Sequence, residues 1–145
     1  MSAIALDCIE DVSKKVTELP AFRGKVFHVY SEEELVERTK GLTYPCVGVV
    51  YDGIRSVGEP GKDTGKMGTS AELVVSIMVF FRQDTKAKTD PKETVVAQLD
   101  SIRSKLLRTK SPAGHFWRFQ IEAAVAGKEG VLTYLQRWAT PVQLS

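Results

Sequence analysis

Between Ala71 and Arg82 the chain reads AELVVSIMVFFR. Successive side chains of an extended backbone point to opposite faces. Leu73, Val75, Ile77, Val79 and Phe81 therefore share one side, and Val74, Met78 and Phe80 the other. A strand apolar on both faces needs cover on both, so this segment is expected at the centre of its sheet. Other strands must flank it, and further layers must pack over it.

The flanking segments supply suitable parts. Over residues 3–19, Ala5, Ile9, Val12, Val16 and Leu19 recur at helical spacing, which predicts an amphipathic helix closed by Pro20. GKVFHVYS reads as a short strand. Ser31 and Glu34 form a capping-box pair, in which each side chain satisfies a backbone donor of the other. A short acidic helix over 32–40 is expected to follow, ending at Gly41. YPCVGVVYDGIRSVGE is the second strand, with Gly48 and Gly53 suggesting a bend or bulge.

Asp90-Pro91-Lys92-Glu93 is a helix start: an N-cap acid, proline at the first helical position, and glutamate three after the cap. Val95, Leu99, Ile102 and Leu106 make its buried stripe, and Lys92, Arg103 and Arg108 are expected in solvent. In the last segment Trp117, Phe119, Ile121, Ala123 and Val125 alternate with Arg118, Gln120 and Glu122. A turn at Gly127–Gly130 and a return strand from Val131 to Trp138 complete a hairpin. The expectation is an α+β fold: a mainly antiparallel sheet of about five strands packed by two main helices, in the order α-β-α(short)-β-β-α-β-β. A length of 145 residues suits one domain over 1–145 with a single core.

Charge narrows the function. Twenty basic and eighteen acidic residues leave +2, too balanced for a nucleic-acid-binding domain defined by net charge. No apolar run approaches the roughly 18–20 residues that span a bilayer, and the start, MSAIALDCIEDVSKK, lacks the basic region of a signal peptide. Cys8 and Cys46, the only cysteines, are too few for a disulfide framework and read as core thiols.

GEPGKDTGKMGTS, residues 58–70, looks at first like a phosphate loop. Aligned on Gly65-Lys66, the G-x-x-x-x-G-K-[ST] pattern meets Pro60 where its first glycine belongs and Met67 where a hydroxyl belongs. A strand, not the required helix, follows it. The segment reads instead as a long glycine-rich connection, an arm that orders against a neighbouring subunit or partner. Lys62, Asp63, Lys66 and Met67 are its candidate contact residues.

No other constellation carries chemistry. His28 and His115 are far apart, Cys46 opens an apolar strand without an activating neighbour, and Glu32, Glu33, Glu34 and Glu37 lack calcium-loop spacing. No residue is assigned a catalytic, cofactor-binding or metal-ligating role. The basic cluster Arg103, Lys105, Arg108 and Lys110 reads as complementing a helix C-terminus, with a polyanion contact as the alternative. Trp117, Tyr134 and Trp138 are core or interface aromatics; as an interface, the terminal hairpin is well placed to add to a neighbour.

The N-terminal helix, the proline-led strand YPCVGVVYDG, the loop before AELVVSIMVFFR, the helix PKETVVAQLDSIRSKLL and the closing hairpin together resemble the tail-terminator (tail-completion) proteins of long-tailed bacteriophages. The likeness covers nearly the whole chain as element order. It implies a non-enzymatic virion protein, without cofactor, assembled in the host bacterial cytoplasm. In that family a homohexameric ring caps the tail tube, stops its polymerisation and presents a surface for head-completion or connector proteins at the neck. DNA passes through the lumen, so the resemblance also implies a non-specific DNA contact, and no membrane association. A head–tail connector, a tube subunit, or a small ligand-binding domain with a lid over 58–70 are the alternative expectations.

Overall fold

A computed structural model describes residues 4–29, 33–34, 37, 43–56, 69–82, 91–126 and 130–144. The first helix, α1 (Ile4–Thr17), buries Cys8, Ile9, Val12 and Val16. A single 3-10 turn, Pro20–Phe22, follows, placing the break where Pro20 demands it. The strands are β1 (Val26–Val29), β2 (Cys46–Ser56), β3 (Thr69–Arg82), β4 (Arg118–Val125) and β5 (Val131–Leu144), and the second long helix is α2 (Pro91–Leu106). Of the acidic helix expected over 32–40, Glu33, Glu34 and Glu37 are described, and their backbone is helical.

The five strands form one sheet in the order β1-β2-β3-β5-β4, so β3 is central, as its two apolar faces require. β1 pairs parallel with β2; every other pairing is antiparallel. The architecture is α+β. Both long helices pack on one face. There Val47 and Val49 of β2, Leu73 to Phe81 at alternate positions of β3, and Trp138 of β5 meet Ile9, Val12, Val16, Val95, Leu99, Ile102 and Leu106. Each such side chain contributes roughly 1.5–3 kcal/mol when fully buried. A smaller cluster of Phe27, Val29, Cys46 and Phe80 occupies the opposite face.

Two irregularities set which way side chains point. Between Tyr51 and Gly53 the β2–β3 register shifts by one residue, and Gly53 takes φ 115, a region that favours glycine. Gly48, also expected to bend the strand, lies in regular register opposite Met78 and Phe27. The second shift, between Phe119 and Ile121 in β4, corrects the expected hairpin pattern. A one-residue bulge moves every later side chain to the other face. Trp117 and Phe119 keep the helix side, and Phe119 stands edge-on to Trp138 with centroids 5.3 Å apart. Beyond the bulge the phase inverts: Glu122 lies beneath α2, and Ile121 is 46% exposed.

Candidate assembly surface

Two polar networks fasten the helices to the sheet. Gln136 of β5 has no exposed surface, and its amide donates to Leu99 O at 2.9 Å and to Glu122 Oε1 at 2.8 Å. Its own carbonyl accepts from Trp138 Nε1 at 3.1 Å. The same Glu122 oxygen receives Arg103 Nη1, while Arg103 Nη2 donates to Asp100 Oδ1 at 3.1 Å. Arg103 is thus a half-buried clamp between α2 and β4. Its placement corrects the expectation that it is a solvated charge, because the inverted phase of β4 brings a carboxylate beneath it.

The second network joins α1 to the turn after α2. Asp11 Oδ2 accepts from Lys15 Nζ at 2.8 Å and from Trp117 Nε1 at 2.9 Å. Lys15 also donates to Thr109 Oγ1 at 3.2 Å and to Lys110 O at 3.1 Å. Nearby, Lys105 Nζ and Glu18 Oε2 are 2.6 Å apart, and this bond with the lysine's charge holds the Glu18 carboxyl below its ordinary range.

These contacts decide what the aromatic hairpin offers to a partner. Trp117 is 2% exposed and Trp138 fully buried, and Tyr134 packs partly buried against Phe81. The two tryptophans belong to the chain's own interior, and Tyr134 packs partly buried against it. The exposed apolar side chains are their neighbours Phe116, Phe119 and Ile121, on or just before the edge strand β4. Val96, Asp100, Arg103 and Leu107 recur at one-turn spacing, so they share a flank of α2, and the Arg103–Glu122 contact turns that flank toward β4. Val96 and Leu107 are exposed. Five of the seven large exposed hydrophobics among the described residues therefore gather at this end of the sheet. Arg108, Lys110 and Arg118, all exposed, border it, with Lys110 Nζ 5.7 Å from the Phe116 ring centroid.

Of the other candidates, Lys62, Asp63, Lys66 and Met67 lie outside the described residues. Cys8 and Cys46 are buried, and burial pushes their thiols up to about 12 and about 11. Such thiols stay protonated at neutral pH, the reverse of an activated nucleophile. On the face away from the helices, Asp52 accepts from Ser76 Oγ and from Arg137 Nε, the latter at 3.4 Å. Among the described residues no helix is long and apolar enough to cross a membrane.

No family model matches the chain, and no curated protein matches it by sequence. Among solved structures, a chain of the virion of a native gene transfer agent (GTA) particle matches over 99% of this chain and 99% of that one. The TM-score is 0.66 and the identity 12%. The likeness is one of fold. At that identity side chains have diverged while element order and layer packing persist, so what the two chains share is the fold.

Sequence reasoning missed Phe116, Phe119, Ile121, Val96 and Leu107 as a group. The apolar residues were visible; their gathering was not. It depends on β4 being an edge strand and on the bulge at Gln120, and both are set by long-range pairing.

Proposed function

We propose that this chain is a structural virion protein, a ring-forming tail terminator. The observation that carries the virion reading is the end-to-end fold likeness to a virion chain, 99% of both chains at a TM-score of 0.66. The terminator assignment adds the resemblance of element order to the phage tail-completion family. In this role a hexameric ring of one domain per subunit caps the tail tube, stops its polymerisation and offers a joining surface to head-completion or connector proteins.

A ring requires each subunit to present two different surfaces that meet head to tail. The open β4 edge, with exposed apolar side chains on both of its faces, supports one of them, since exposed apolar side chains beside an unpaired strand mark interaction sites. The glycine-rich arm with Lys62, Asp63, Lys66 and Met67 is a second contact, against a neighbour, the tube or DNA in the lumen. The protein works by binding and shape, with no catalytic step.

Purified protein is expected to scatter light as an oligomer of about six subunits and, mixed with growing tail tubes, to bind one tube end and halt elongation. Incorporation along the tube would instead identify a tube subunit. A monomer that ignores tubes would overturn the assignment.

A further inference from the structure

We infer that the β4 end of one copy docks on the outer flank of α1 in the next, so that the two opposite ends of the sheet form one head-to-tail interface between copies of this chain. This names the surfaces of the self-association proposed above, and rests on that reading.

Strand order places β1 and β4 at opposite edges of the sheet. The β4 edge runs eight residues, RFQIEAAV, with neither proline nor lysine to guard it. Natural sheets blunt such an edge with prolines, charges, bulges or a covering helix. Here a bulge is present, yet Phe119 at 40% and Ile121 at 46% exposure stand beside the unpaired backbone. A helix from outside the chain would complete the cover.

Charge selects which helix. Around the β4 end, Arg103 is held by Glu122 and Asp100; Arg108, Lys110 and Arg118 are exposed beside the apolar patch against the exposed Asp100, so basic charge is in excess there. At the other end, α1 packs on β1 and β2. Its Asp11 and Lys15 are committed to Trp117, Thr109 and Lys110, on the side toward α2. Leu6 and Glu10, one turn apart, lie on the side of α1 away from Asp11 and Lys15. Leu6 is 41% exposed, and Asp7 and Glu10 beside it are exposed acids. Of the basic residues of this end, exposed Lys14 follows Glu10 by one turn, while Arg23 and Lys25 lie beyond the helix. The acidic character is thus confined to the first two turns around Leu6, Asp7 and Glu10. An apolar patch with basic charge in excess around it therefore lies at the opposite end of the sheet from an exposed leucine flanked by two carboxylates. Surfaces of opposite sign on opposite ends cannot meet within one chain, but they meet when copies stack in sequence, and such an interface makes a ring where the rotation from copy to copy closes.

Charge reversal with rescue tests this. Variants Arg118→Glu and Glu10→Arg, both at exposed positions, are first checked for native circular dichroism. Each is expected to raise the protein concentration at which the light-scattering oligomer dissociates by at least about tenfold. The double variant, carrying both reversals in one chain, is expected to return it toward wild type, since every interface again pairs opposite charges. Ile121→Asn, which removes apolar contact without adding charge, should weaken assembly without rescue by Glu10→Arg. An oligomer untouched by the single reversals overturns this interface and leaves the ring reading standing. Weakening without rescue in the double variant overturns the assignment of α1 as the partner surface. A wild-type chain that stays monomeric overturns both.

Discussion

Gln136 and Glu122 stand directly opposite each other on β5 and β4, and the Gln136 amide donates to the Glu122 carboxylate at 2.8 Å beneath α2. This pair converts the edge strand's bulge into a helix anchor. The inverted phase that turns Ile121 outward also turns Glu122 inward, where it holds Arg103. One register shift therefore creates both the exposure of Ile121 and the clamp that steadies the helix beside it.

Replacing Gln136 by methionine, similar in length but without donor or acceptor, strands Trp138 Nε1 and removes a donor from Leu99 O and Glu122. Leaving a buried polar group unsatisfied costs about 1–3 kcal/mol. With the indole and the carboxylate both affected, the variant should lose about 3 kcal/mol in urea unfolding. A loss below about 0.5 kcal/mol would show that the network adds little to stability.

The buried thiols predict an alkaline weakness. Cys8 and Cys46 are raised from 9.0 to about 12 and about 11 by burial, with Asp11 and Asp7 adding to the rise at Cys8. For a group raised on folding, the stabilising difference is complete below the unfolded value. It is lost as pH rises from there through the folded one. Stability should therefore fall from about pH 9 upward, and replacing both cysteines by alanine should flatten that part of the profile. At pH 8 neither thiol should react with a disulfide reagent until denaturant is added.

Glu18 behaves in the opposite sense. The hydrogen bond from Lys105, and then its charge, lower the carboxyl below 4.5. A lowered carboxyl stabilises above its unfolded value and loses the effect as pH falls through the folded one. Glu18→Gln should melt below wild type at neutral pH, with the gap closing in acid. A constant gap across pH would mean that the ion pair is not its source.

Arg108 closes α2 with φ 65, a left-handed conformation that costs side-chain-bearing residues roughly 1–2 kcal/mol. Glycine is the usual residue there. Arg108→Gly should stabilise the fold by about 0.5–1 kcal/mol, the strain relieved less the added freedom of the unfolded chain. If Arg108 also borders the docking surface as inferred, the same variant should weaken self-association while raising the melting temperature.

Leu99, Ile102 and Leu106 on α2, Ile9, Val12 and Val16 on α1, and the two-faced strand around Ile77 were legible from spacing alone, and all are buried. Periodicity is a property of neighbouring residues, so the sequence by itself determined which segments become helix or strand, which faces of α1, α2 and β3 turn inward, and that β3 lies at the centre. Arg103, Ile121 and the two tryptophans are different. Their surroundings come from residues distant in the chain: Glu122 under Arg103, Asp11 at Trp117, Gln136 at Trp138. Only the tertiary structure decided those, together with the edge position of β4 and the bulge at Gln120. Strand order and register are chosen by the summed pairing of the whole sheet, and a one-residue shift in that pairing reverses a face without changing a letter of the sequence.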